Sequence, residues 1–153
     1  MNLKENWRAL LRALGEGKKM VLATAKDGQV SARMMSFVIL DGLFYFQTDR
    51  AMRKYRQMEK NPNAALCEGN LQIEGICREL GHPLEDKTFC EIYKRLYPGS
   101  FELYTALPSE RLFVFEPTYA KRWFYEGSVP LTEEFDFIKE TYLKEVYRQG
   151  LDG

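Results

Sequence analysis

Five basic residues between positions 33 and 56 have the chemistry to bind an anion. Arg33 is the only charged residue in the run 32–40 (ARMMSFVIL), where alternation places apolar side chains on both faces of a predicted strand. We expect such a strand to be buried on both faces. Because a guanidinium cannot lose its charge, its burial requires a fixed negative partner. The other basic residues, near the start of a predicted helix, are Arg50, Arg53, Lys54 and Arg56.

The start of that helix favours an anion for a second reason. A helix N-terminus carries positive partial charge, so cations in its first turn are unfavourably placed. The same end of a helix binds phosphate through its free N–H groups. Together the two features indicate a phosphate site. Two ordinary alternatives remain open: Arg33 pairs with one of the 22 acidic residues, and the basic helix face is simply solvated.

Composition favours one folded domain with a local anion site. The 153 residues suffice for a single well-buried domain, 1–153, and contents of 45% hydrophobic and 14% aromatic residues predict a core rather than disorder. Basic and acidic residues both total 22, so the formal charge is zero. This balance disfavours a general attraction to nucleic acid or to a membrane surface.

Cysteine and histidine offer little for metal or nucleophilic chemistry. Cys67, Cys77 and Cys90 lack C-x-x-C spacing and His82 is the single histidine, so no metal site is predicted. We interpret the thiols as core residues and His82 as a surface or capping residue, with a contact to a bound cofactor as its alternative. No acid/base pair is completed, so no catalytic residue is assigned. Free thiols and an N-terminus without a long apolar run predict a cytoplasmic protein.

Periodicity and turn residues predict strands that occur mostly as hairpins, and therefore an antiparallel sheet. The predicted strands span 21–24, 30–40, 43–48, 64–68, 71–78, 111–116 and 119–125, with tight turns at Asp27-Gly28, Asp41-Gly42, Gly69-Asn70 and Pro117-Thr118. Helices are predicted over 3–14, from Arg50 (capped by Thr48 or Asp49) to Asn61-Pro62, over 84–96 and over 132–148. The fold class is mainly β with flanking helices (α+β), as a barrel or sandwich.

The order of these motifs resembles the pyridoxamine 5'-phosphate oxidase-like family of FMN-binding split barrels. The match covers roughly residues 18–76, and the second half of the chain shares only the general layout. The motifs that carry the resemblance are Arg33-Met34-Met35, Phe46-Gln47-Thr48, Arg53-Lys54, Asn61-Pro62 and Glu74-Gly75.

The resemblance implies an antiparallel split β-barrel of six to seven strands, of Greek-key type. It also implies a homodimer with FMN bound at the subunit interface. By position, Arg33 and Lys54 would hold the FMN phosphate, assisted by Arg53 and Thr48. The backbone of Met34, Met35, Ser36, Phe37 and Val38 would run along the flavin. Asn70 and Gln72 would contact the isoalloxazine ring, and Trp123 would reach it from the second subunit.

Two departures from the family pattern bear on function. Ala51 stands where many relatives have a serine or threonine, which removes one hydrogen bond to the phosphate. The Arg/His-rich C-terminal segment that pyridoxamine phosphate oxidases use for substrate is absent, since residues 126–153 contain no histidine and only Arg148. The resemblance therefore does not predict oxidation of pyridoxamine phosphate.

These observations give a leading function and two alternatives. The leading hypothesis is an FMN-dependent oxidoreductase that passes electrons between small molecules, with no protein nucleophile. The first alternative is a non-catalytic flavin- or haem-binding or sensing protein of the same fold. The second, a barrel that binds single-stranded nucleic acid through its aromatics and basic helix, is disfavoured by the zero net charge.

Overall fold

A computed structural model describes residues 2–148 as a barrel of antiparallel strands with helices at its ends and side. The helices are α1 (Leu3–Leu14), α2 (Arg53–Lys60), α3 (Lys87–Leu96) and the single turn α4 (Pro98–Ser100). The strands are β1 (Gly17–Lys26), β2 (Gln29–Leu40), β3 (Leu43–Asp49), β4 (Asn63–Glu68), β5 (Leu71–Gly81), β6 (Glu110–Glu126), β7 (Val129–Asp136) and β8 (Thr141–Val146). No helix in this part of the chain is long and apolar enough to cross a membrane.

Six strands close into the barrel, in the order β3-β2-β1-β4-β5-β6, and pairing between β3 and β6 completes the ring. All of these pairings are antiparallel. Three hairpin-connected strands followed by a fourth that returns beside the first make a Greek key, with α2 as the long connection. β7 and β8 extend the sheet beyond β6. The predicted fold class, an antiparallel split barrel of Greek-key type with flanking helices, is confirmed.

The barrel is filled by phenylalanines that pack edge to face. Phe37 is fully buried and lies 6.4 Å from Phe44 and 5.4 Å from Phe46, measured between ring centroids. Helix α1 closes one end, because Trp7 lies 6.4 Å from Phe44 and 5.2 Å from Phe135. Such offset contacts add to the free energy of burying the rings. The predicted helix 3–14 is confirmed as α1, and its apolar face packs into the barrel core.

A second apolar cluster lies outside the barrel, where α3 covers β2 and β6. Phe89, Ile92 and Tyr93 of α3 pack against Val38 and Leu112. Asp86 caps α3 by accepting a hydrogen bond from the Phe89 amide at 2.9 Å. The predicted helix 84–96 is thus a 3₁₀ turn, Pro83–Glu85, followed by α3, because Asp86 caps a new helix there.

The predicted C-terminal helix 132–148 is wrong. This segment forms β7 and β8, joined by a turn in which Asp136 accepts hydrogen bonds from the Ile138 and Lys139 amides and Glu140 has φ of +57°. The apolar residues fit helical spacing by coincidence, since β7 instead gains a full ladder against the long strand β6. Buried Glu133 is stabilised within this sheet by hydrogen bonds from Arg122 and Tyr142.

The predicted turn at Pro117-Thr118 is also wrong, because β6 continues through it as one strand. Gly75 pairs with Pro117 and Glu74 with Tyr119, so Thr118 is an extra residue in the ladder. Its hydroxyl donates to the Glu74 carbonyl at 3.2 Å. A β-bulge here accommodates the proline, which has no N–H to donate to the ladder.

Gly75→Ala should destabilise the barrel at this bulge. A Cβ at position 75 would lie 2.4 Å from the Glu116 carbonyl oxygen and 2.5 Å from the Phe115 ring. We expect a loss of about 1–3 kcal/mol in the free energy of urea unfolding, the usual cost of overpacking. The control is Gly99→Ala, where a Cβ meets nothing within 4 Å and the change should stay within about 0.5 kcal/mol. Equal stability of both variants would contradict this account of Gly75.

Candidate functional site

Arg33 is held by neutral oxygen atoms at the end of the barrel that α2 covers. The residue is half-buried and lies opposite Leu22 in the β1–β2 ladder. Its Nη1 donates to the Leu22 carbonyl at 3.1 Å and to the Thr24 hydroxyl at 2.8 Å. Its Nη2 donates to the Ser31 hydroxyl at 2.8 Å and to Gln57 Oε1 at 3.3 Å. These bonds engage both η nitrogens of the guanidinium without neutralising its charge.

No acidic partner of Arg33 lies within residues 2–148, so in that range the alternative of an internal ion pair is wrong. The charged neighbours are other cations. Burial lowers the pKa of Arg33, and the charge of Arg53 lowers it further. Burial likewise lowers the pKa of Lys54, with a further contribution from Arg33. Three cations therefore share one corner of the barrel, an arrangement that a bound anion would stabilise.

The prediction that the whole run 32–40 is buried on both faces is wrong. Only Phe37, Val38 and Ile39 are buried, whereas Ala32 is exposed and the Met34 side chain is 59% exposed. The outer face of the barrel is uncovered along the first half of β2, because α3 reaches only its second half. Arg33 nevertheless lies on the covered inner face, beside α2.

Helix α2 begins at Arg53, three residues later than predicted, and its first turn has neither a side-chain cap nor an acidic residue. The predicted caps Thr48 and Asp49 are wrong. Asp49 instead accepts hydrogen bonds from the Ala51 amide and the Ser109 hydroxyl, both at 2.8 Å, and so shapes the turn before the helix. An uncapped helix start flanked by cations is the arrangement that binds phosphate in other proteins.

Thr48 carries an unsatisfied buried group. Within residues 2–148, its hydroxyl has no hydrogen-bond partner, although the residue is only 3% exposed. Such orphaned groups are rare and costly in folded proteins. Thr48 was predicted to bind the phosphate, and a free hydroxyl is what that role requires.

Glu110 is the acidic residue that influences this cluster. It lies opposite Asp49 in the β3–β6 ladder and is only 4% exposed. Burial raises the pKa of Glu110 to about 7, and repulsion from Asp49 adds to this, while the Gln47 side chain and then the charge of Lys54 oppose it. Lys54 therefore interacts unfavourably with Arg33 and favourably with Glu110. A phosphate bound beside Lys54 would compete with Glu110 for the same cation.

The other predicted cofactor residues lie along the sheet. Ser36 and Met35 are partly buried, while the side chains of Phe37 and Val38 are fully enclosed by protein, which leaves only their backbone for a ligand. Asn70 and Gln72 are exposed at and after the β4–β5 turn. Half-buried Trp123 donates its amide to the Asn70 carbonyl at 3.2 Å and packs against Tyr147.

The predicted cofactor-binding residues thus include two separate groups of neighbours. Arg33, Arg53 and Lys54 lie together, and Asn70 lies beside Trp123. No hydrogen bond joins the two groups within the described residues. Whether both contact one ligand stays a prediction.

Sequence reasoning missed the polar residues that hold Arg33. Thr24 and Ser31 could have been found, because the Asp27-Gly28 turn fixes the hairpin register that pairs them beside Arg33. Gln57, one helical turn after Arg53, had no comparable signal. Glu110 was also missed, because a glutamate at the start of a strand is ordinarily exposed.

The sequence profile of the family described as pyridoxamine 5'-phosphate oxidase matches residues 3–124. The chain belongs to this family. No curated protein sequence matches it significantly.

Solved structures share the fold at low sequence identity. A pyridoxamine 5'-phosphate oxidase-related, FMN-binding protein from Nostoc punctiforme PCC 73102 is 17% identical with a TM-score of 0.61, covering 95% of this chain and 93% of its own. PhzG from Burkholderia lata 383, solved with tetrahydrophenazine-1-carboxylic acid, is 21% identical with a TM-score of 0.59, covering 95% and 90%. HutZ, a heme storage protein from Vibrio cholerae, is 15% identical with a TM-score of 0.57, covering 76% and 91%.

Glu110→Gln should remove a pH dependence of stability. The folded pKa of about 7 exceeds the ordinary 4.5, so between these values the folded protein binds more protons than the unfolded chain. The free energy of unfolding should therefore fall as pH rises through this window, by about 1–3 kcal/mol. Urea unfolding across the window measures this decline. The control is Glu91→Gln, on the exposed side of α3, which should show the same decline in the free energy of unfolding as the parent protein. If the decline persists in Glu110→Gln, Glu110 is not the group that causes it.

Proposed function

We propose that this chain binds FMN and acts as an FMN-dependent oxidoreductase on a small molecule. The observation that carries the proposal is the cluster of Arg33, Arg53 and Lys54, which has no acidic partner for Arg33 in the described residues and adjoins an uncapped helix start. Family membership and the FMN-binding relative support FMN over other phosphate-bearing ligands.

Each residue of the cluster has a distinct part in holding the phosphate. Lys54 supplies a mobile point charge, and exposed Arg53 supplies a guanidinium that, among the described residues, donates a hydrogen bond only to Gln29 Oε1, at 3.4 Å. The η nitrogens of Arg33 are already engaged by protein oxygens, so Arg33 contributes its charge and its Nε. Thr48 would satisfy its buried hydroxyl on the phosphate.

The flavin ring is proposed to lie along the outer face of β2. The backbone of Met34–Val38 would run beside it, with Asn70 and Gln72 in contact with its polar edge. The bound flavin would supply the redox chemistry by accepting and returning a hydride or electrons. The residues of the chain bind and orient it, and we assign no acid, base or nucleophile among them.

A homodimer with the cofactor at its interface belongs to the same proposal. The outer face of β2 exposes Val30 at 73% and Met34 at 59%, with exposed Ala32 between them. Alternating apolar residues on the uncovered face of a strand favour contact with another protein surface. In a symmetric dimer this face would also let Trp123 of one subunit approach the flavin held by the other.

The alternative of a haem-binding protein is less well supported. His82 is the single histidine, and both of its ring nitrogens have partners: Nδ1 accepts from the Leu84 amide at 3.1 Å, and Nε2 bonds to the Leu107 carbonyl at 2.9 Å. The prediction of a capping role is confirmed by the first of these bonds. Haem ligation by His82 would require breaking them. The prediction that all three thiols are core residues is wrong for Cys67, which is exposed, whereas Cys77 is buried and Cys90 is half-buried. The free thiols favour the proposed cytoplasmic location.

The purified protein should bind FMN, with flavin absorbance and a defined dissociation constant. Lys54→Met should weaken binding roughly 10- to 100-fold, equivalent to about 1.5–3 kcal/mol for a charge-assisted hydrogen bond. The control is Lys60→Met, the same change at the exposed last turn of the same helix, which should leave affinity within about twofold. A protein that takes up no FMN would refute the binding proposal.

Oxidation of reduced nicotinamide by the loaded protein, with an added electron acceptor, tests catalysis.

The protein should behave in solution as a dimer of about twice the 17.9 kDa chain mass. Met34→Glu places a charge on the proposed interface and should give a monomer that still folds, because the side chain is exposed in the single chain. Sedimentation or light scattering measures the mass. Ile138→Glu, at a 75% exposed site in the β7–β8 turn, should remain dimeric. A monomeric parent protein, or a dimeric Met34→Glu variant, would reject this interface.

A further inference from the structure

Gln57 is a buried amide whose single oxygen accepts three hydrogen bonds. It lies in the second turn of α2 and is 3% exposed. Its Oε1 accepts from the Thr24 hydroxyl at 2.5 Å, from the Ser31 hydroxyl at 3.0 Å and from Arg33 Nη2 at 3.3 Å. This one atom therefore joins β1, β2 and α2 at the candidate phosphate site.

These bonds determine how the hydroxyls of Thr24 and Ser31 interact with Arg33. Each hydroxyl has one proton, and Thr24 and Ser31 both direct theirs to Gln57. Their oxygen lone pairs are then left for Arg33, which donates to each at 2.8 Å. The Leu22 carbonyl completes the set of acceptors at 3.1 Å. The guanidinium is fixed on two sides by a closed network whose members carry no negative charge.

The chemistry of position 57 decides whether Arg33 can serve a ligand. A glutamate there would have the same shape and could accept the same three bonds, but it would neutralise the guanidinium. The Gln57 amide holds the Arg33 side chain in place and leaves the positive charge of the guanidinium to attract an anion. Arg53 and Lys54 make this arrangement more costly without a ligand, since each repels Arg33.

We propose that Gln57 is a positioning residue for phosphate recognition, one that fixes Arg33 through neutral hydrogen bonds so that its charge acts on the phosphate of the cofactor. The inference rests on the proposed FMN site. If the inference holds, Gln57 is one reason why the protein binds FMN more tightly than riboflavin, the same flavin without the phosphate.

The test compares FMN with riboflavin, which has the same ring but no phosphate, in the protein and in Gln57→Glu. The variant should bind FMN at least about tenfold more weakly, the loss expected when a charge-assisted contact is removed. Its affinity for riboflavin should stay within about twofold, because the ring contacts are untouched. Inorganic phosphate should raise the melting temperature of the parent protein above that in chloride of equal ionic strength, and this rise should be lost in Gln57→Glu.

Two further variants separate positioning from general effects. Asn61→Asp makes the same amide-to-carboxylate change one helical turn along, where the side chain bonds to Asn63 instead, and should change FMN affinity less than about threefold. In an Arg33→Met background, Gln57→Glu should have no further effect on FMN affinity, since Gln57 acts through Arg33. If Gln57→Glu does not fold, Gln57→Met takes its place, because it removes the acceptor at similar volume and should also weaken FMN more than riboflavin.

Several results would overturn the inference. An equal loss of FMN and riboflavin affinity would show a structural role, and an unchanged FMN affinity would show that Arg33 does not act through its charge. An equal effect of Asn61→Asp would reduce the result to net charge. If the parent protein responds to phosphate but not to FMN, the proposed function fails, and Gln57 is then judged on the phosphate response alone. A parent protein that responds to neither refutes both.

Discussion

The cationic corner of the barrel depends on one unusual constraint: a half-buried arginine is held in place with no negative partner among residues 2–148. Taking a guanidinium out of water is unfavourable unless hydrogen bonds and charge compensate for it. Here Leu22, Thr24, Ser31 and Gln57 supply the hydrogen bonds, and Arg53 and Lys54 make the charge problem worse. The protein alone therefore leaves the electrostatic requirement unmet, and a dianionic phosphate would meet it.

The fold is what brings this arrangement into existence. The Asp27-Gly28 turn sets the β1–β2 register, so that Thr24 lies opposite Ser31 and Leu22 opposite Arg33. The Greek-key connection then carries the chain from β3 through α2 to β4, which pairs with β1 and places α2 over the same corner. Helix α2 closes this end of the barrel, so residues far apart in sequence meet there. The start of the same helix has no side-chain cap.

Local patterns were sufficient where the interaction that decides the structure is itself local. The hairpin turns, the amphipathic helix α1 and the cations near α2 could be predicted because turn residues and periodicity act over a few positions. The C-terminal hairpin could not, because Phe135, Ile138 and Tyr142 satisfy a helical spacing, and only the presence of β6 makes the strand preferable. The turn predicted at Pro117 is wrong for the same reason, because the bulge that accommodates this proline depends on Gly75 in the neighbouring strand. In the site, the cations were visible in the sequence, whereas the neutral acceptor Gln57 became recognisable only through its three-dimensional neighbours.

Glu110 shows how the cationic cluster remains compatible with a stable fold. A cluster of three cations would destabilise the protein if nothing opposed it, and Glu110 attracts Lys54 from the side of the β3–β6 ladder. Yet Glu110 is itself buried beside Asp49, which raises its pKa to about 7, so it is only partly ionised near neutral pH and compensates only in part. Full compensation by a carboxylate would stabilise the chain further and would remove the attraction for an anion. A weak internal counter-charge is therefore the arrangement that would reconcile folding with the proposed anion binding, at a cost in stability that is typical of functional sites.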